Sequence, residues 1–208
     1  YKIVSTDVGW TFVTSAIIAT AATIIALIPS LLAAYGFSRF PRAPMNDSRS
    51  FFVLLTLRMV PPFAVVLPIL MYWTAFGLVD TYFDLVWTYA IFSIPLAVWL
   101  LKGFVDAIPR SLEDAAAVDG YSFLSTLRKF VLPLLATGLA ATTALVWLFL
   151  WNEFLFAIKI AGGKVVTYTA KLPQLRHAER ILWNVYGAMA TISAIPPILI
   201  LTAFRRYV

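Results

Sequence analysis

Side chains able to do chemistry are scarce in this sequence, and their types exclude most catalytic sets. There is no cysteine, which removes thiol catalysis, disulfides and Cys-based metal sites. The single histidine, His177, cannot build a His-based metal cluster, and in the run LPQLRHAER it reads as a plain surface residue. AGGK, Ala161 to Lys164, is not a phosphate loop: no glycine stands five residues before Gly163, and no Ser or Thr follows Lys164. No nucleophile–base set is visible. What remains is one polar stretch, EDAAAVDGYSFLSTLRKFVLP from Glu113 to Pro133, and a few polar residues set in apolar sequence. The latter are Arg58, Thr88, Tyr89, Ser93, Asn152 and Glu153, whose types suit contact with a polar ligand on a pathway better than covalent catalysis.

The elements that must position these groups are built for lipid. The chain is 62% hydrophobic and 12% charged, against roughly 45–50% apolar residues in soluble domains. So few polar residues cannot cover a soluble surface, and the bilayer must be the solvent for much of the chain. Spanning ~30 Å of hydrocarbon takes about 20 helical residues. Five apolar runs qualify, at residues 10–37, 51–76, 85–104, 132–154 and 183–204. A β-barrel would show alternating segments of ~10 residues instead. The fold expected is an all-α polytopic membrane protein, a single domain over residues 1–208. A start at Tyr1, with neither Met nor a signal pattern, is expected of a fragment of a longer chain.

Aromatic and basic residues orient the spans. With alternating crossings, Trp10, Trp73, Trp87, Trp151 and Trp183 share one side, as an interfacial belt would. The other side carries Arg39, Arg42, Arg49, Lys102, Arg110, Arg128, Lys129, Arg205 and Arg206, and is assigned to the cytoplasm. Lys2, Lys159, Lys164, Lys171, Arg176 and Arg180 fall outside. The net charge of +6 is thus a topology signal, not a nucleic-acid signal. Residues 105–132 become a cytoplasmic loop and 155–182 a periplasmic one, with the C-terminus inside. The triplet Asn46-Asp47-Ser48 is a formal glycosylation sequon, discounted because it falls on the cytoplasmic side.

Prolines 29, 61, 62, 68, 95, 196 and 197 fall inside the spans, where each removes a backbone donor. The tandem pairs Pro61-Pro62 and Pro196-Pro197 point to a bent, cavity-forming bundle. Arg58, beside the first pair, should snorkel to the interface or make a structural pair rather than line a pathway. Glu153 reads first as a solvated or interfacial acid and second as a residue that lines an outer gate or meets a partner protein there. Thr88, Tyr89 and Ser93 could face a ligand, but also serve as ordinary helix–helix contacts.

The polar stretch reads as helix–glycine–helix. Pro109 ends the preceding helix, and Ser111 with Asp114 matches a capping box. Glu113 and Asp114 suit the first turn, the alanines propagate it, and Gly120 stands where a left-handed cap is needed. A second helix starts at Ser122, with Phe123, Leu127, Phe130 and Val131 on one face, until Pro133 opens the fourth span. Ala115 and Ala116 would expose a small-residue face. On physical grounds alone, an amphipathic connector and a docking element stand level.

Here the residues carry a resemblance. DAAAVDG, followed thirteen residues after Gly120 by the proline of VLP, resembles the EAA loop of ABC-importer permeases. The matching positions are Asp114, Ala115, Ala116, Asp119, Gly120, Leu132 and Pro133, with Asp114 where Glu is usual and Glu113 just before it. AAYGFSRF, RMVPP, IPRSLEDAA and WNEFLFA resemble further motifs of the carbohydrate-importer branch. Over almost its whole length the chain is similar to maltose-transporter-type permease subunits, lacking that family's first of six helices and its Gly-rich tail. The resemblance implies that residues 105–132 couple to a cytoplasmic ATPase dimer, which alone binds ATP and Mg, so this chain needs no cofactor. It further implies a second permease subunit, a soluble binding protein delivering a sugar or related polyol above residues 155–182, and a bacterial or archaeal plasma membrane location. The competing reading, an ion-coupled secondary transporter, would need acids deep in the membrane and inverted repeats, and neither is evident.

Overall fold

Ala, Ile, Leu and Thr repeat through the first fifth of the chain with little to stop a helix, and the computed structural model forms one long α1 there, Lys2–Arg39. The structure describes residues 2–40, 48–161, 163–177, 180, 181 and 183–205. Arg42, Arg206 and residues 46 and 47 of the sequon lie outside the described residues, as do the side chains of Lys2, Ser48, Arg176, His177 and Arg180. Helices α2 (Ser48–Met59) and α3 (Pro62–Ala75) precede α4 (Tyr82–Asp106), whose N-cap Thr81 accepts a bond from the Asp84 amide. A polar passage follows, with α5 (Arg110–Val118), α6 (Phe123–Thr126), a π-helical turn (Leu127–Val131) and α7 (Leu132–Leu134). Next come α8 (Ala136–Trp151), α9 (Leu155–Ile160), α10 (Tyr168–Gln174), a minimal antiparallel hairpin of β1 (Arg176–His177) and β2 (Arg180–Ile181), and α11 (Trp183–Phe204).

Three of these helices are long and apolar enough to cross a membrane, over Val8–Arg39, Tyr82–Asp106 and Trp183–Phe204. Two bent pairs raise the number to as many as five if each is one span: Arg49–Met59 with Pro62–Ala75 at 87°, and Phe123–Leu134 with Ala136–Trp151 at 69°. The first break has a local cause. A residue before proline is disfavoured in helix, and Pro61, preceding Pro62, is extended at φ −60° and ψ 127°. The second corrects the expected start of the fourth span. Pro133 sits in the short turn before the bend, and the straight helix begins at Ala136. Having no N–H, Pro133 cannot serve the Lys129 carbonyl, and the Leu132 amide reaches back five residues to Leu127.

The Pro196-Pro197 pair does not break its helix: α11 runs through both. Pro197 leaves the Ser193 carbonyl without its intrahelical donor, and the Trp151 indole fills the gap at 3.1 Å.

Packing centres on α1 against α4, the most extensive helix pairing among the described residues. Ala19, Ala22 and Ala26 of α1 meet Leu85, Tyr89 and Ala90 of α4 in one core with Trp147 and Trp151 of α8. Small side chains let the backbones approach, and hydroxyls within the core return to their own helix, Thr23 to the Ala19 carbonyl and Ser30 to that of Ala26, both at 2.6 Å. At Gly138 no side chain fits, because an added Cβ would lie 2.3 Å from Phe104 Cγ.

The tryptophan belt needs correction. Trp10, Trp87 and Trp183 are exposed, but Trp73 and Trp151 are buried core residues. Each finds a hydrogen-bond acceptor there, Thr88 Oγ1 for Trp73 and the Ser193 carbonyl for Trp151, as buried indoles require.

Candidate functional site

Two assemblies gather the polar residues singled out above. The first is the passage around α5. Its N-cap is Pro109, with no side-chain cap bond, so the capping box expected at Ser111 and Asp114 does not form. The helix starts at Arg110, earlier than that box requires, which puts Ser111 inside it. Its C-terminus is as expected: Gly120 adopts φ +80°, the Gly120 amide donates to Ala117 and the Tyr121 amide to Ala116, which is a Schellman closure. Ser122 then caps α6 by accepting from the Ser125 amide at 3.4 Å.

The two adjacent acids diverge. Asp114 is exposed, whereas Glu113 turns back to α1, accepting Arg39 Nε at 2.6 Å and the Tyr35 hydroxyl. The Arg39 and Glu113 side chains are 7% and 15% exposed. Ala116 is also buried, at 4%, so the expected small-residue face does not form, and of that pair only Ala115 is exposed. Beside it Asp114, Val118 and Asp119 are exposed. Of the apolar face expected after Ser122, Val131 is buried and Leu127 partly so, packed against Tyr35, Val105 and Leu135. Phe123 is largely exposed, with its ring edge-on to Tyr35.

The second assembly is a cavity of about 320 Å³ beside the Pro61-Pro62 break. It brings together Arg58 from α2, Tyr89 and Ser93 from α4, and Glu153 beyond α8. Phe92, Phe149 and Phe156 also line it, and sequence reading missed them because phenylalanine in apolar helices carries no distinguishing signal. Arg58 is exposed, and its side chain reaches across the mouth of the cavity to α4 and α8. Its Nη1 donates to the Phe92 carbonyl at 3.2 Å, in the turn before Pro95, and its guanidinium lies 5.5 Å from the Phe149 ring centroid. Glu153 accepts from the Phe156 and Ala157 amides at 3.0 and 3.2 Å, capping α9 while it lines the cavity. Ser93 donates to the Tyr89 carbonyl. The Tyr89 hydroxyl is buried, the residue being 2% exposed; it lies beside the Glu153 carboxylate without a hydrogen bond of standard geometry.

Two sequence candidates fall outside the lining. Thr88 holds Trp73. Asn152 donates to the Leu148 carbonyl and accepts from Tyr168, whose phenol burial pushes up to about 12, so that it remains a neutral donor.

One residue that sequence reading passed over organises the long connection after α9. Asp80, at φ 64°, accepts from the amides of Gly163, Lys164 and Val165 at 3.2, 2.5 and 3.1 Å. The amides of residues 163–165 thus form a small backbone cradle for an anion, filled by the chain's own carboxylate. Among the described residues no group of three or more His, Cys, Asp or Glu could hold a metal ion.

Comparison with known proteins fits this architecture. Residues 30–208 match the family described as "Binding-protein-dependent transport system inner membrane component". The chain is 32% identical over 197 residues to the trehalose/maltose transport system permease protein of Thermococcus litoralis, covering 93% of this chain and 70% of that one. It is 30% identical over 207 residues to an osmoprotective compounds uptake permease protein of Synechocystis, covering 98% and 68%. A chain of the MetNI methionine ABC transporter, in an inward-facing conformation, shares the fold with a TM-score of 0.78 at 13% identity, over 95% of this chain and 94% of that one. Bent apolar spans, a polar helix–glycine–helix between them and these matches lead to one conclusion: the chain belongs to the binding-protein-dependent transport system inner membrane components, as a multi-pass permease subunit of an ABC importer.

Proposed function

We propose that this subunit moves a sugar or related polyol inward by alternating access, driven by ATP hydrolysis on partner ATPases. The observation that carries the ligand class is the cavity beside Pro61-Pro62, where a guanidinium, a carboxylate, a phenol and a hydroxyl converge among aromatic rings. Such a lining offers hydrogen bonds to hydroxyl-rich molecules and flat apolar faces to their rings. The name of one relative, for trehalose and maltose, supports the same class.

In this reading the outward face of α5 (Asp114, Ala115, Val118, Asp119), closed by Gly120, docks on the ATPase from the cytoplasm. Glu113 and Ala116 belong to the same element from its inner side, and Pro133 returns the chain to the membrane. ATP and Mg are bound by the ATPase dimer. A soluble binding protein delivers substrate over residues 155–182, a second permease subunit completes the pathway, and lipid surrounds the exposed apolar faces. Arg58, Tyr89, Ser93 and Glu153 line this subunit's half of the pathway, while Thr88 and Asn152 hold its walls.

Uptake of labelled trehalose or maltose by the reconstituted transporter tests the proposal. ATP depletion should abolish uptake and an ionophore should spare it; the reverse pattern would overturn it.

A further inference from the structure

Glu113 and Asp114 are consecutive acids at the start of α5, and helix geometry sets them about 100° apart around the axis. Asp114 faces out. Glu113 receives Arg39 and Tyr35, both from the end of α1. We propose that the contact of Glu113 with Arg39 and Tyr35 is the joint that passes movement of α5 into α1, making these three residues positioning residues for transport.

Arg39 is the last residue of α1, where a cation suits the helix dipole, and its guanidinium is used on every side. Nε donates to Glu113 Oε1 at 2.6 Å, Nη1 to Ser38 Oγ at 3.1 Å and Nη2 to the Ile108 carbonyl at 2.9 Å. From the other side of the Pro109 turn, Arg110 donates to the Ser38 carbonyl. Ser38 in turn donates to Asp106 at 2.6 Å, and Lys102 holds the second oxygen of that carboxylate at 2.6 Å. The end of α1, the end of α4 and the start of α5 are therefore one polar cluster. The Tyr35 ring adds an edge contact to Phe123 at 5.7 Å, bringing in α6. A charge pair in this setting adds little net stability compared with apolar packing, but it fixes one geometry. That is what a joint requires. Because α1 packs extensively against α4, movement of α5 that shifts this cluster is carried by α1 into the core.

The inference rests on the reading that the outward face of α5 docks on the ATPase, and the experiment separates the two. The full transporter, with ATPases, second permease and binding protein, is reconstituted in proteoliposomes, and substrate moved per ATP hydrolysed is measured. Glu113→Gln and Arg39→Met should each lower that ratio about tenfold, the range of ordinary coupling energies. The exchange Arg39→Glu with Glu113→Arg should recover only part of it, because a carboxylate at 39 cannot donate to Ser38 or to the Ile108 carbonyl. Tyr35→Phe, which keeps the ring packing and removes only the hydroxyl, should lower the ratio severalfold and covers the case in which the charge variants fail to assemble. An unchanged ratio in Tyr35→Phe, or in the charge variants where they assemble, overturns the joint. Ala115→Trp, on the outward face, should prevent ATPase association. Normal association in Ala115→Trp overturns the docking reading instead.

Discussion

The indole Nε1 of Trp151 donates to the Ser193 carbonyl at 3.1 Å, and that carbonyl is the one Pro197 leaves without an intrahelical donor. A proline defect in α11 is thus answered by a side chain of α8, 42 residues away. Trp151 is 2% exposed and stacks on Trp147 with centroids 5.1 Å apart, so its donor has no other outlet.

Trp151→Phe should therefore lower stability by about 1 kcal/mol, the cost of leaving a partly buried carbonyl unpaired. Pro197→Ala restores a backbone donor, so the double variant should lose less than Trp151→Phe alone. Thermal unfolding of the purified complex in detergent reads both, and additive losses would refute the link.

Gly120 at φ +80° closes α5, and a Cβ there would meet nothing within 4 Å, so only backbone strain opposes a side chain. Left-handed geometry costs non-glycine residues about 1–2 kcal/mol, less for Asn. Gly120→Val should uncouple ATP hydrolysis from uptake in proteoliposomes, and Gly120→Asn should retain most coupling. Equal behaviour of the two would rule out the strain argument.

Tyr89→Phe removes a buried hydroxyl that lies beside the Glu153 carboxylate without a hydrogen bond of standard geometry. Folding stability should hold or rise slightly, whereas the substrate concentration for half-maximal uptake should increase about tenfold if ligand supplies the missing bond. Arg58→Ala should change uptake in the same direction. Unaltered uptake in both variants would remove this cavity from the pathway.

Asp80→Ala strips the acceptor from three amides at once. Backbone amides 163–165 should exchange hydrogen faster by about tenfold or more, with a stability loss of about 1–3 kcal/mol. Hydrogen-exchange mass spectrometry of the loop peptide checks this, and unchanged protection would show that the cradle contributes nothing.

How much of this was legible follows from the range of each interaction. Long apolar runs, the Gly120 turn, the Ser122 cap and the break at Pro61-Pro62 depend on residues within a turn or two of one another, and the sequence by itself determined them. It also singled out Arg58, Tyr89, Ser93 and Glu153 one by one, since charge and hydroxyl groups are conspicuous in apolar helices. Only the tertiary structure decided that these four share a cavity, that Thr88 and Asn152 do not, and that Ala116 faces inward. The same holds for Glu113 and Asp114, adjacent in sequence and opposite in role, because Glu113 is chosen by an arginine 74 residues away. Proline pairs make the point most directly. The residue before Pro62 breaks its helix by local sterics, while Pro197 is tolerated because a distant indole satisfies the carbonyl it orphans, and local sequence holds no record of that donor.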